Sequence, residues 1–130
     1  MKTLLLILFF SPFTQVNDAE PPVNLASISK AISNGDAGAL ASHFDKTVEI
    51  AILDEEDMYS KSEAKSKVSS FFANAKPKSY SQVHKGNSKG NDSQYCIGNL
   101  VTTGGDYRVY IYLKVKGAKT VIQEMRFDKN

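Results

Sequence analysis

The stretch YRVYIYLKVK, residues 107–116, decides the fold, because apolar and polar side chains alternate along it with a period of two. Residues 79–85, 94–102 and 120–128 also have the composition of strands, and glycine-containing turns separate the four segments. Short turns place neighbouring strands in antiparallel order. The sequence therefore predicts a four-stranded antiparallel meander as the main part of a sheet.

Alternation also assigns a face to each side chain of the last two strands. The side chains predicted to face the core are Tyr107, Val109, Ile111, Leu113, Val115, Val121, Gln123, Met125 and Phe127. The outer face is predicted to carry Arg108, Tyr110, Tyr112, Ile122, Glu124 and Arg126. Tyrosine and arginine are enriched where protein surfaces meet, so this face is predicted to form a homodimer. The alternative is an ordinary solvated sheet face.

The predicted core face also contains polar groups that could orient a ligand. Tyr95, on the second meander strand, is predicted to point inward together with Tyr107 and Gln123, whereas Cys96 is predicted to lie on the outer or edge side. An apolar pocket with a few polar groups would bind a small apolar ligand, and these three residues are its predicted contacts. Two alternatives stay open: hydroxyl-bearing core residues at the rim, or large aromatic side chains that fill the space in a purely structural dimer.

Two helices are predicted in the first part of the domain. Leu25, Ile28 and Ile32 recur at helical spacing, and Asn34-Gly35 supplies a left-handed stop. A second, shorter helix follows. It is predicted to begin at the capping residue Asp36 and to present Leu40 and Phe44 on one face.

A strand and a third helix complete the predicted elements. Residues 47–53 alternate and indicate a strand, and the run Asp54-Glu55-Glu56-Asp57 is predicted to be a solvated turn, because a calcium loop would need intervening residues and a glycine. Residues 60–72 open with the capping box Ser60-Lys61-Ser62-Glu63. The buried face of this helix is predicted to consist of Ala64, Val68, Phe71 and Phe72.

Residues 1–19 have the pattern of an export signal, with Lys2 before an apolar run of residues 3–10 and a polar stretch after it. The run is too short to span a membrane, so no integral membrane segment is expected after cleavage. Residues 20–130 are then one domain, predicted to be periplasmic or extracellular. The single cysteine, Cys96, cannot form an internal disulfide, so the core must hold the domain together.

Charge is distributed unevenly along the chain. Residues 20–58 hold eight acidic and two basic side chains, and residues 59–130 hold thirteen basic and five acidic ones. A face that binds polyanions is one interpretation, but scattered lysines on strands and turns more often keep exposed strands from pairing. Because the chain has no aromatic-basic motif, no nucleic-acid partner is expected, and no pattern indicates a metal or a cofactor.

The order of two helices, a strand, a helix and a meander resembles the nuclear-transport-factor-2-like superfamily, which includes ketosteroid isomerases and polyketide cyclases. The segments Asn34-Gly35-Asp36, Ile52-Leu53-Asp54-Glu55-Glu56-Asp57 and Tyr107-Arg108-Val109-Tyr110 are also similar to a small family of exported bacterial proteins known only as a domain of unknown function. The resemblance implies an α+β, cone-shaped fold, with three helices packed on one face of a curved, mainly antiparallel sheet.

The resemblance also allows the catalytic positions of the superfamily to be compared. Isomerase-like members carry a tyrosine on the first helix and an aspartate on the first strand, and the corresponding positions here are Ile28 and Ile50, both aliphatic. Glu49 is one residue away and would point to the opposite face. The sequence therefore predicts a binding or interaction module without catalytic residues. The alternative is an isomerase- or dehydratase-like enzyme that uses His43 and His84 in the cone pocket.

Overall fold

The structure, a computed structural model, describes residues 25–130, and the predicted signal of residues 1–19 lies outside them. The helices in this part of the chain are α1 (Leu25–Ser33), α2 (Ala37–Ala41) and α3 (Lys61–Asn74). The strands are β1 (Phe44–Ile52), β2 (Glu55–Ser60), β3 (Pro77–Asn87), β4 (Ser93–Thr102), β5 (Gly105–Lys116) and β6 (Lys119–Lys129). The α+β class expected from the sequence is confirmed.

The six strands form one sheet in the order β2-β1-β6-β5-β4-β3. Strands β3 to β6 pair as the predicted antiparallel meander, and β1 joins β6 in parallel. Apolar side chains of the three helices and of one sheet face form a single core. The opposite side of the sheet, which carries no helix within the described residues, is called the outer face below.

Local sequence signals set the ends of the helices. The N–H groups of Gly35 and Asp36 donate to the carbonyls of Ile32 and Ala31, and Gly35 has a φ of 64°, so α1 ends in the left-handed conformation that glycine favours. Asp36 then begins α2, because its Oδ1 accepts from the Ala39 N–H at 3.0 Å. The predicted joint between the two helices is confirmed.

The third helix also begins as predicted, since Ser60 Oγ accepts from the Glu63 N–H at 3.3 Å. Its buried residues are Ala64, Val68, Phe71 and Phe72. The Phe71 ring packs against Phe127 at a centroid distance of 4.7 Å, which fixes this helix on the last strand of the sheet.

Two boundaries near the first strand differ from the prediction. Phe44 is buried, but it begins β1 and does not end α2, so the strand starts three residues before the predicted residue 47. The acidic run is a solvated turn only in part: Leu53 and Asp54 form the turn, and the next residues continue as edge strand β2, paired with β1. Because β2 is exposed and has no apolar alternation, its strand character comes from pairing with β1.

The predicted faces of β6 are wrong for Ile122 and Gln123, and also for Val121, which pairs with the outer-face residue Lys114. Ile122 pairs with Leu113 and Glu124 pairs with Tyr112, which leaves Gln123 as an extra, unpaired residue in a β-bulge. The bulge reverses the alternation on its N-terminal side. Ile122 is therefore fully buried in the core and is not part of the outer face.

The predicted faces of β4 are also reversed. Cys96 is 2% exposed, pairs with the buried Ile111 and belongs to the core, so Tyr95 lies on the outer face. Apolar side chains occur at both the even-numbered and the odd-numbered positions of β4. A strand that buries Leu100 and a strand that buries Ile97 therefore fit the sequence equally well. Alternation alone could therefore not assign the faces of this strand.

Candidate functional site

The three predicted ligand contacts do not meet in one pocket. Tyr107 is buried on the inner face as predicted, with its ring edge-on to Phe71 at 5.1 Å. Tyr95 is on the outer face, and the Gln123 amide donates to Asp45 Oδ2 at 3.0 Å. Asp45 also pairs with Lys116 at 2.7 Å, and these contacts lower the pKa of Asp45 to about 2.

An aromatic row crosses three strands of the outer face and consists of His84, Tyr95 and Tyr110. The His84 and Tyr95 rings are 5.7 Å apart, and His84 Nε2 is in hydrogen-bond contact with Tyr95 Oη at 3.1 Å. The Tyr95 and Tyr110 rings follow at 6.3 Å and are inclined by only 25°. The Tyr95 ring lies over Gly86, where a Cβ would stand 2.5 Å from its nearest ring carbon. Side chains of this row are thus fixed before any partner binds.

A charged group adjoins the aromatic row on strands β6, β1 and β2. Arg126 Nη1 contacts Glu56 Oε1 at 3.3 Å and Glu124 Oε1 at 3.4 Å. A hydrogen bond to the Glu56 carboxyl, partial burial and the charge of Glu124 raise the pKa of Glu49. The same hydrogen bond and the Arg126 charge lower the pKa of Glu56. These side chains form a polar border beside the tyrosines.

Residues predicted for the interface occupy the outer face with one exception. Arg108, Tyr110, Tyr112, Glu124 and Arg126 alternate with buried residues of β5 and β6, as expected from the sequence. Ile122 is excluded by the bulge, and Tyr95, which pairs with Tyr112, takes an unpredicted place there. The sequence contained a signal for Tyr95, because three tyrosines at positions 95, 110 and 112 can share a face only if residue 95 points outward.

A second feature is a cavity of about 590 Å³ between α2, β1 and the first turns of α3. We call it the basic cleft. Its lining residues are Gly38, Ala41, Ser42, Lys46, Ser60, Lys61, Ser62 and Lys65. Lys61 and Lys65 are one helical turn apart and therefore share a face, a spacing visible in the sequence but not singled out there.

The positions compared with enzymes do not assemble a catalytic site. Ile28 and Ile50 are 2% and 1% exposed and lie in the core. His84 is on the outer face at β3, whereas His43 precedes β1, and three strands separate β1 from β3 in the sheet. The two histidines are thus on the order of 19 Å apart. Burial and the charge of Lys61 lower the pKa of His43.

The family model for the domain of unknown function DUF4783 matches residues 25–128 of the chain. The chain belongs to the DUF4783 family. No curated protein matches it in sequence. The DUF4783 protein of Bacteroides ovatus has 26% identity and a TM-score of 0.77, and the match covers 81% of this chain and 94% of that one. The DUF4783 protein of Bacteroides uniformis has 27% identity and the same TM-score, over 81% and 95% of the two chains.

More distant structures place the DUF4783 domain in the nuclear-transport-factor-2-like fold. An NTF-2-like protein of unknown function from Burkholderia xenovorans has 13% identity and a TM-score of 0.62, over 82% of this chain and 80% of that one. This likeness concerns the fold alone, and it confirms the fold that the resemblance in sequence implied. In residues 25–130, no helix has the length and apolar character that crossing a membrane requires. The same residues contain no group of three or more histidine, cysteine or acidic side chains that could hold a metal ion.

Proposed function

We propose that this DUF4783 domain is a non-enzymatic interaction module that forms a homodimer through the outer face of its sheet. The observation that carries the proposal is the aromatic row of His84, Tyr95 and Tyr110, whose rings contact one another across three strands. Tyrosines that are already fixed lose little conformational entropy on binding, which is why they are frequent at the centre of interfaces.

The size of the outer face suits such a dimer. Six strands about 4.8 Å apart and roughly ten residues long present on the order of 800 Å². A stable interface of ordinary size buries about 800 Å² on each partner. A stable dimer would therefore bury nearly the whole outer face of each copy. Both copies then use the same surface, as in a two-fold symmetric pair.

The charges of the outer face are compatible with pairing of identical surfaces. Its strands carry five basic side chains, Arg108, Lys114, Lys116, Lys119 and Arg126, and five acidic ones, Glu49, Glu56, Asp106, Glu124 and Asp128. The two signs balance, so two copies meet without strong net repulsion. Arg126 already has carboxylate partners within its own chain, so it can remain paired at the border of the interface.

The oligomeric state of the purified protein tests this proposal. We expect a dimer at tens of micromolar by light scattering, and a monomer for the double variant Tyr110→Ala, Tyr112→Ala, because truncating such an anchor costs about 2 kcal/mol of association. Tyr59→Ala is the matched control, since Tyr59 pairs with the buried Val48 and lies on the other side of the sheet. A wild-type monomer, or a dimer that survives the double substitution, would reject the proposed surface.

We also propose that the domain acts outside the cytoplasm. Support comes from residues 1–19, whose charge and apolar pattern is that of an export signal. The intact mass of the protein from its natural host should correspond to a chain that begins between residues 15 and 20. Retention of Met1 in that mass would contradict export by cleavage.

A further inference from the structure

Two features of opposite charge lie at the two ends of strand β2. The turn between β1 and β2 and the first residues of β2 expose Leu53, Asp54, Glu55 and Asp57, which we call the acidic tip. The other end of β2 leads into Ser60 and Lys61, which line the basic cleft. Leu53 and Asp54 are six to seven residues before Ser60, so the turn is about 20 Å from the cleft, whereas Asp57 is about 10 Å from Ser60. One molecule therefore cannot bring its own Leu53 and Asp54 into its own cleft.

The cleft has the chemistry of a receptor for an acidic, partly apolar segment. Its lining residues include three lysines and no acidic residue, and the nearby Asp36 carboxylate already accepts from the Ala39 N–H. Within residues 25–130, none of these lysines belongs to an ion pair. Ala41 and the aliphatic stems of the lysines supply apolar surface between the charged groups. The ammonium of Lys65 stands above Gly38, where an added Cβ would be 3.9 Å from Nζ. The charges thus surround a space large enough for several side chains.

The acidic tip is a fixed and strained projection. Its Leu53 N–H donates to the Phe127 carbonyl at 2.9 Å, which holds the turn on the central strand β6. Leu53 has a φ of 55°, a conformation that costs a leucine about 1 kcal/mol or more, and its side chain is 47% exposed. Glycine or asparagine would suit this backbone better, so the exposed leucine is not explained by the turn itself.

We propose that the acidic tip of one copy docks in the basic cleft of a second copy. Leu53 occupies the apolar part of the cleft, and the carboxylates of Asp54, Glu55 and Asp57 approach the ammonium groups of Lys46, Lys61 and Lys65. Glu56 does not take part, because it is paired with Arg126 on the outer face. Charge complementarity between these surfaces favours the second copy as the occupant.

The geometry of this contact differs from that of the sheet-face dimer. Each copy offers a tip at one end of β2 and a cleft at the other, so the contact is head-to-tail and generates a ring or an open chain. It is independent of the outer face, and it adds molecules to a dimer formed there. Since the attraction is between exposed charges, added salt weakens it.

Charge reversal tests the contact directly. The cleft variant carries Lys46→Glu, Lys61→Glu and Lys65→Glu, and the tip variant carries Asp54→Lys, Glu55→Lys and Asp57→Lys. Both are made in the Tyr110→Ala, Tyr112→Ala background, so that sheet-face pairing does not contribute. Each variant alone opposes like charges at the contact, whereas a mixture restores two complementary contacts, acidic tip with basic cleft and basic tip with acidic cleft.

Sedimentation velocity at about 20 mM salt gives the readout. We expect the parent to self-associate, each variant alone to associate at least about tenfold more weakly, and the equimolar mixture to recover the parental behaviour. Raising the salt to about 300 mM should abolish the association of parent and mixture alike. Thermal unfolding of each variant verifies that it is folded, and the neutral set Lys46→Gln, Lys61→Gln, Lys65→Gln serves if the glutamates unfold the domain.

Several results would overturn the proposal. Unchanged association of the cleft or the tip variant would show that the reversed charges do not meet. A mixture that fails to recover, although both variants are folded, would do the same. If the cleft variant lost association while the tip variant kept it, the cleft would bind an acidic surface of the second copy other than the tip.

Discussion

The ring of Tyr80 lies directly on Gly98 of the neighbouring strand, so close that a Cβ on Gly98 would stand 2.3 Å from the Tyr80 Oη. This contact places the Tyr80 hydroxyl in the interior, where residues 25–130 offer it no hydrogen-bond partner. Burial and the nearby Cys96 thiol raise the pKa of Tyr80. The glycine at position 98 thus leaves the space that the Tyr80 ring and its buried hydroxyl occupy.

Tyr80→Phe should stabilise the domain by about 1 kcal/mol, because it removes a buried polar atom that makes no hydrogen bond and keeps the ring. Urea denaturation would measure the change. Tyr112→Phe is the control, since Tyr112 is a half-buried tyrosine of the outer face and its hydroxyl is not among the buried groups without a partner in residues 25–130, so it should alter the midpoint little. A lower midpoint for Tyr80→Phe would mean that the hydroxyl has a stabilising partner.

Gly98→Ala should destabilise the domain by about 2 kcal/mol, because the new methyl group overlaps the Tyr80 ring and forces it out of the core. Gly38→Ala is the comparison at an uncrowded helical glycine, where the nearest atom would be 3.5 Å away. That change should be neutral or stabilising by up to about 1 kcal/mol. Equal midpoints for the two alanine variants would show that Tyr80 does not rest on Gly98.

Ser60→Ala should lower the free energy of unfolding by about 1 kcal/mol through loss of the cap on α3. Ser66→Ala, in the same helix but with its hydroxyl bonded only to the Ser62 carbonyl, is the matched control and should have a smaller effect. Chemical denaturation of both proteins compares them. If the two substitutions cost the same, the Ser60 hydroxyl does not cap the helix.

The pair of Asp45 and Lys116 should make stability depend on acid pH. Because the pKa of Asp45 in the folded protein is lowered to about 2, below its unfolded value, its contribution is present above about pH 4 and is lost as pH falls through 2. Asp45→Asn should therefore be less stable than the wild type at pH 7, by on the order of 1 kcal/mol, and this difference should shrink as pH falls from about 4 to 2. Unfolding free energies across that range would measure the difference, and a pH-independent gap between the two proteins would contradict it.

Local patterns in the sequence were sufficient for the helices and the meander. The Asn34-Gly35 stop and the Ser60 cap act over a few residues, and the structure has both where they were expected. Strand β2 was missed because its own residues have no apolar alternation, and its strand character comes from pairing with β1. The bulge at Gln123 was missed because it is a shift in the pairing of β6 with β5, which the period of β6 alone does not contain. The faces of β4 were ambiguous because both faces of this strand carry apolar side chains.

The candidate surfaces also contain residues that local alternation predicts and residues that depend on strand pairing and packing. The outer-face positions of Arg108, Tyr110, Tyr112 and Arg126 followed from alternation, and that of Glu124 followed as well because it lies beyond the bulge. Tyr95 and Ile122 exchanged roles for the reasons above. The basic cleft could not be predicted, because Lys46 reaches it only through the packing of β1 beside α2 and α3, and no local spacing connects residue 46 with residue 61.

The parallel pairing of β1 with β6 has a consequence for the order of folding. Strand β6 contributes Ile122, Met125 and Phe127, all fully buried, yet it is the last strand of the described chain to be synthesised. Until residues 119–129 have been made, the β1–β2 hairpin and the β3–β5 strands have no strand between them. A nascent chain would hold two separate sheet fragments with exposed apolar faces, and such intermediates are prone to aggregate and are typical substrates of holding chaperones.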